Sequence, residues 1–295
     1  MSEFTEQLRV MTWNLWWRFG SWRTRLVAIR AVLHAQRPDI IGLQEVWDDG
    51  KVNLAAQLSE EFGYFYSWSP ALNTDRWRGR PIDPGVKVGN AILSRYPITS
   101  EDQLRLPEGN VDEGRTALFA SVDVPGVQVP FFTTQLTSAP DQSSLRCEQV
   151  SALASFVAER RTNRFPVIVT GDLNAEPDSD EIRMLCGHKT SGAVPGLVLV
   201  DAWRYAESTD PGWTWDRKNP HVEATGEPSA RIDYVLVGPP TDGRSGRITT
   251  VHVAGDEAVD GIWPSDHAAV IVELELPPRS GGMRRRGRRT GIGAK

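Results

Sequence analysis

Four separated stretches of the 295-residue chain place, at one end or the other of an apolar run, a side chain able to handle phosphate or a hard cation. Glu45 closes Asp39-Ile-Ile-Gly-Leu-Gln-Glu45, Asp172 and Asn174 end Thr170-Gly-Asp-Leu-Asn174, Asp233 lies in Arg231-Ile-Asp-Tyr234, and Asp266 and His267 end Trp263-Pro-Ser-Asp-His267. If each run is a strand, one sheet edge can gather all of these groups. Mg2+ takes oxygen ligands, keeps several waters and uses only one or two protein carboxylates beside a substrate phosphate. Glu45 suits that role, with Mn2+ as an alternative ion. Hydrolysis then needs a base for water, for which Asp172 is the candidate. It also needs donors to the phosphoryl oxygens, for which His267 and Asn174 are candidates. Asp233 could hold the other imidazole nitrogen of His267 and raise its pKa.

Taken in order, Trp13-Asn-Leu15, Gln44-Glu45, Gly171-Asp-Leu-Asn174, Arg231-Ile-Asp233 and Ser265-Asp-His267 resemble the endonuclease/exonuclease/phosphatase superfamily over residues 8 to 276. The resemblance implies Glu45 as principal metal ligand and Asn14 as a supporting ligand or hydrogen-bond partner. It also implies Asp172 and Asn174 around the attacking water, Asp233 with His267 at the phosphate, and Asp266 near a second metal position. One piece departs from the pattern. Several branches carry a histidine where this chain has Gln135, in Thr133-Thr-Gln-Leu136. An amide donates but cannot act as a general acid, so the expectation is that Gln135 hydrogen-bonds a phosphate oxygen without protonating a leaving group. Arg115 at a strand start and Trp213 in Gly212-Trp-Thr-Trp215 are expected to contact substrate. A surface ion pair is the alternative for Arg115, and core packing the alternative for Trp215.

The spread of these motifs from Asn14 to His267 argues for one domain, residues 1–278. A basic tail, 279–295, is expected to be a solvated, disordered extension. Hydrophobic content of 40% and charged content of 24% are those of an ordinary globular protein. The formal charge is −5 even though seven basic residues and no acid lie in the tail. So acidic a body argues against tight nonspecific duplex binding, which needs many Lys and Arg contacts to phosphates. No run is long and apolar enough to span a membrane, and the first residues lack a signal-peptide pattern. Cys147 and Cys186 show no zinc or disulfide spacing. A cytoplasmic monomer with no stable membrane association is expected.

Hydrophobic periodicity predicts strands over residues 8–16, 64–68, 88–94, 115–124, 127–136, 167–170, 231–237, 247–254 and 268–276, plus the run ending at Glu45. Helices are predicted over 23–36, 51–62, capped by Gly63, and 144–161. Residues 72–86 and 187–226 are predicted as loops walling the site. His34, His188, His221 and His252, which sit in no motif, are read as structural or solvent-facing. Strands outnumber helices, and the resemblance implies an α/β (α+β) four-layer sandwich: two mostly antiparallel sheets face to face, with helices on both outer surfaces. The expected function is Mg2+-dependent hydrolysis of a phosphodiester by direct water attack, with nucleic acid the first choice of substrate. A lipid or small phosphodiester is the second choice, and a non-catalytic phosphate-binding protein the rival from another class.

Overall fold

The computed structural model of the chain describes residues 6–72, 85–109, 114–206, 209–241 and 244–278. The basic tail, most of the 72–86 loop and Asp112-Glu113 before Arg115 lie outside the described residues. Twelve strands form two six-stranded sheets. The first contains β1 (Gln7–Asn14), β2 (Ile40–Asp48), β3 (Phe65–Pro70), β4 (Lys87–Ser94), β11 (Ile248–Ala254) and β12 (Ala269–Glu275), in the order β11-β12-β1-β2-β4-β3. The second contains β5 (Ile98–Arg105), β6 (Thr116–Val124), β7 (Val127–Gln135), β8 (Ile168–Asp172), β9 (Val200–Asp201) and β10 (Asp233–Val237), in the order β5-β6-β7-β8-β10-β9. Each sheet has one parallel pair, β1 with β2 and β7 with β8, and is otherwise antiparallel.

Alternation along β1 explains the layering. Leu8 and Val10 face the second sheet, where they pack with Ile40, Ile92, Phe131, Ile168 and Val235. Met11 and Trp13 face the opposite way, under helices α1 (Trp22–Gln36) and α2 (Leu54–Phe62). The outer face of the second sheet is covered in the same way. Phe132, Val169 and Leu236 pack with Val150, Leu153 and Val157 of α3 (Ser143–Arg160), and with Ile182 and Leu185 of α4 (Asp180–Cys186). Three apolar interfaces between four layers make the sandwich, each fully buried Leu, Ile or Phe contributing about 1.5–3 kcal/mol.

The expected elements are present, with informative shifts. Asn53, not Lys51, opens α2, its side chain accepting from Ala56 N at 3.1 Å, and Gly63 closes it at φ 69°. Pro125-Gly126 forms the tight turn between β6 and β7, with Gly126 at φ 93°. β1 stops at Asn14 because Trp16 and Trp17 take left-handed φ of 55° and 35°. β2 does not stop at Glu45 but runs on to Asp48 through a register shift between Leu43 and Val46. Strand β5 escaped the periodicity reading because its Thr99-Ser-Glu-Asp-Gln103 segment is a solvated edge with no apolar face. The 187–226 stretch is not all loop. It holds β9, a 3-10 turn at Ala202–Tyr205 and a short helix α5 at Pro220–Glu223, with Asn219 as N-cap and Pro220 in the first turn.

Beneath the motif-bearing edge the two sheets meet closely. A Cβ on Gly42 of β2 would lie 2.2 Å from Thr170 Oγ1 and 2.7 Å from Thr133 Oγ1. Gln44 crosses the same gap, its Nε2 donating to Thr133 Oγ1 at 2.8 Å and Thr12 Oγ1 at 3.2 Å. Gly42→Ala is therefore expected to wedge the sheets apart at a cost of about 1–3 kcal/mol. Urea unfolding would read this as a lower midpoint, and an unchanged midpoint would contradict the close approach.

Candidate active site

Strand polarity brings the motifs to one edge. β1, β2, β7 and β8 contribute groups from their C-terminal parts. β10 and β12 run antiparallel to β8 and β1, so they present their first residues at that same edge. Gln135, Asp172 and Asp233 occupy paired positions on three adjacent strands, Gln135 opposite Asp172 and Asp172 opposite Asp233. Glu45 reaches the edge from inside a strand because the β2 bulge puts it at φ 52°, which turns its side chain out of the alternation. Gly171, just before Asp172, lies so near β7 that a Cβ would meet Thr134 O at 2.2 Å.

A cavity of about 490 Å3 opens here, lined by Glu45, Arg115, Gln135, Asp172, Asn174, Asp266 and His267 and walled by Trp16, Phe19, Trp215 and His221. Asp172 is its floor. Its Oδ2 accepts from Asn14 Nδ2 and Gln135 Nε2, each at 3.0 Å, and its Oδ1 from Asn174 N at 3.1 Å. Burial pushes its pKa up, the charge of His267 pulls it back and Asp233 pushes it further up. His267 Nδ1 pairs with Asp233 Oδ2 at 2.8 Å. Burial works against a charged imidazole there, but the carboxylates of Asp233 and Asp172 outweigh it, and His267 titrates well above its ordinary value. The shift favours the protonated ring, which Asp233 holds in place. Trp215 stands edge-on against its ring, with centroids 5.0 Å apart.

Gln135 sits between two carboxylates. Its amide nitrogen donates to Glu45 Oε1 at 2.9 Å as well as to Asp172, and its oxygen accepts from Arg115 Nη1. Both amide protons thus go to carboxylates, and Gln135 bridges Glu45 and Asp172. Asn14 is also committed to hydrogen bonds, its oxygen accepting from Trp16 N at 2.9 Å while its nitrogen holds Asp172. Asn174 is pinned through Nδ2 to Leu136 O at 3.1 Å. Arg115 is buried and lines the cavity, its Nη1 donating to Gln135 Oε1. Trp213 is 44% exposed and absent from the cavity lining, the position falling to Trp215. His221 was not legible as a cavity residue. It rides on α5 and packs against Trp16 at 4.4 Å between ring centroids, and only the Asn219-Pro220 helix start hinted at an ordered element there.

The donor set fits a divalent cation. Glu45 Oε2 is buried without a hydrogen-bond partner. Asp266, also buried, has its pKa raised to about 7, first by desolvation, with the Glu45 charge adding to it and His267 opposing. An unmatched carboxylate oxygen beside a second buried carboxyl is what a hard cation would satisfy. Ligand atoms of Asp172, Asp233 and His267 also lie within 4.8 Å of one another. Asp233 Oδ1 is likewise buried without a hydrogen-bond partner, but Asp233 Oδ2 and His267 Nδ1 hold each other, so Glu45 with Asp266 is the better-fitting pair.

The sequence profile of the Endonuclease/Exonuclease/phosphatase family matches residues 11–267, and the chain belongs to that family. A Caenorhabditis elegans protein bearing the name neutral sphingomyelinase is 29% identical over 227 residues, which are 69% of this chain and 48% of the relative. Homo sapiens nocturnin is 22% identical over 272 residues, 89% of this chain and 60% of that protein. The chain thus spans about half of the first relative's length and three-fifths of the second's. Among solved structures, truncated C. elegans TDP2 superposes with a TM-score of 0.70 at 24% identity, covering 92% of this chain and 98% of that one. The human nocturnin catalytic domain with bound sulfate gives 0.69 at 19%, covering 92% and 95%. D. rerio TDP2 complexed with single-strand DNA product gives 0.69 at 18%, covering 92% and 100%. At such identities these structures share the fold.

The site's protonation has a consequence for stability. Asp266 titrates at about 7 instead of 3.8, so the folded protein keeps a proton that the unfolded chain releases as pH rises between those values. His267, raised above 6.5, likewise contributes stability that is present at lower pH and lost as pH rises through its folded value. Without divalent ions, the melting temperature is expected to fall from pH 5 to pH 8, and added Mg2+ to restore it at pH 8. Asp266→Asn should flatten the metal-free profile. His221 and His252, whose pKa values are lowered by burial, oppose this trend, so a metal-free melting temperature that falls no more with pH in the wild type than in Asp266→Asn would refute the assignment.

Proposed function

We propose that the chain is a divalent-metal-dependent phosphodiesterase working by direct attack of water, with Mg2+ as its ion, Mn2+ as a substitute and a nucleic-acid strand as its substrate. The observation that carries this reading is the meeting, in one cavity, of the Glu45–Asp266 carboxyl pair, the buried Asp172 and the Asp233-held His267. A cation held by Glu45 and Asp266 would supply charge neutralisation at the phosphoryl oxygens. Asp172 is the base. Desolvation makes its carboxylate more basic than a solvated aspartate, and Asn14, Gln135 and the Asn174 amide orient it toward a water on the cavity side. His267, protonated and fixed by Asp233, donates through Nε2 to a phosphoryl oxygen where charge builds. Arg115 is a second cation for the substrate phosphate. With Gln135 in place of an acid, the β7 strand contributes no proton to the leaving group, so esters with good leaving groups are favoured.

The D. rerio TDP2 structure, complexed with single-strand DNA product, is the neighbour that supports a nucleic-acid substrate. A small or lipid phosphodiester is the second reading. It is favoured by the sphingomyelinase-named relative and by a cavity whose described lining includes one arginine and no lysine, poor provision for a run of phosphates. No helix among the described residues is long and apolar enough to cross a membrane. The same reading takes residues 1–278 as one domain acting as a cytoplasmic monomer.

Turnover of a bis-aryl phosphodiester with Mg2+ tests the reading, and Asp172→Ala is expected to lower kcat by about 10²–10⁴-fold. Equal signals from the two proteins would leave a phosphate-binding protein instead, and turnover that survives chelation would refute the metal requirement. A panel of plasmid, single-stranded oligonucleotide and choline phospholipid separates the substrate classes. Gln135→His should make the rate less dependent on leaving-group pKa across a series of aryl esters. An unchanged slope would show that proton supply from β7 is irrelevant.

A further inference from the structure

Arg25 belongs to no motif, yet it is among the largest fully buried side chains, at 2% exposure. From the first turn of α1 its guanidinium donates to five backbone carbonyls. Nη1 reaches Leu15 O at 3.0 Å and Pro264 O at 2.8 Å. Nη2 reaches Trp16 O at 2.8 Å, Trp17 O at 3.1 Å and Phe19 O at 3.0 Å, and Nε also reaches Phe19 O at 3.2 Å. Leu15–Phe19 is the turn that leaves β1 directly after Asn14. It contains two successive tryptophans in left-handed backbone, an arrangement that bulky residues do not hold by themselves. The guanidinium supplies donors to the carbonyls of this turn, in addition to the Phe19 N–H that reaches Trp16 O at 3.2 Å. Pro264 begins the loop carrying Ser265, Asp266 and His267, and that loop is tied back to β1 by Ser265 Oγ donating to Asn14 O at 2.7 Å.

The same guanidinium supports a wall of the cavity. Its central carbon lies 4.7 Å from the centroid of the Trp16 ring, and Trp16 in turn packs against His221. Burial draws the Arg25 pKa down to about 10 against the pull of Asp266 and Glu45, so it is charged at neutral pH and faces the two carboxyls assigned to the cation.

We propose that Arg25 is the positioning residue of the cleft: by clamping the Leu15–Phe19 turn to the Pro264–His267 loop, it fixes Asp266, Asn14 and the Trp16 wall in one geometry. The inference rests on reading Glu45 and Asp266 as the cation-holding pair. Arginine is required because a planar five-donor fork can satisfy carbonyls arriving from several directions, whereas a lysine ammonium brings three donors on a compact head. It acts through the loops and touches no reacting atom.

Mn2+ alone, titrated by electron paramagnetic resonance without substrate, is the probe. Arg25→Lys is expected to lose Mn2+ affinity by about 10- to 100-fold while still melting cooperatively, in keeping with the cost of removing groups that orient metal ligands. Ile29→Ala, on the apolar face of the same helix, should lose stability but keep wild-type Mn2+ affinity. Should Arg25→Lys not fold, Arg25→Ala supplemented with ethylguanidinium gives the same comparison, with Mn2+ affinity expected to return as the guanidinium is added. Equal Mn2+ affinity in wild type, Arg25→Lys and Ile29→Ala would overturn the proposal. So would failure of guanidinium to restore folding or affinity. Wild-type protein that binds no Mn2+ would overturn it together with the metal assignment. Normal Mn2+ behaviour with no turnover of any phosphodiester would instead sink the functional reading and leave Arg25 in its positioning role.

Discussion

An excess of buried negative charge at one edge of the sandwich is the constraint on which the rest of the site depends. Glu45, Asp172, Asp233 and Asp266 converge there, and burial makes each ionised carboxylate costly unless something opposes it. The chain opposes it unevenly. Asp172 has three donors, Asp233 has His267 on one oxygen and Glu45 shares the Gln135 amide on one oxygen, while the second oxygen of each of the last two is unmatched. Asp266 holds its proton to about 7. The imbalance leaves a place for a cation on the Glu45–Asp266 side and a protonated imidazole on the Asp233 side. A phosphoryl group between them would meet positive charge from both directions.

Holding that charge requires a rigid frame, and the frame comes from how the sheets pack. Three aligned positions on β7, β8 and β10 carry Gln135, Asp172 and Asp233 side by side, so their spacing is set by the distance between strands rather than by loops. The first sheet approaches at Gly42, and Gln44 spans the gap to Thr133. That approach is what lets Asn14 and Glu45 hydrogen-bond with residues of the opposite sheet. Loop groups are braced separately: Tyr234 Oη donates to Ala175 O at 2.7 Å, steadying the chain after Asn174, and Trp13 Nε1 donates to His267 O at 2.9 Å.

Gln135 puts an amide, not a titrating side chain, between the carboxylates of Glu45 and Asp172. A histidine at that position would titrate, whereas an amide stays neutral and offers two fixed protons. Here those protons join the carboxylate assigned to metal to the carboxylate assigned to water, and Arg115 locks the amide's orientation. The arrangement exchanges a proton source for a neutral brace, in a cavity already dense with titrating groups.

Much of this could be read before any coordinates. Side-chain type and position at one end of an apolar run were enough to nominate Glu45, Asp172, Asn174, Asp233 and His267, because the alternation of strands is a local property and the demands of phosphate chemistry on ligand type are narrow. The layers followed from counting strands against helices and from the resemblance. Partners of long sequence separation were not legible. That Gln135 would face two carboxylates, that Trp215 rather than Trp213 would stand at His267, that His221 would wall the cavity and that Arg25 would join two distant loops all depend on sheet register, a left-handed turn and a bulge. Those follow from how the whole chain packs, and no local pattern encodes them.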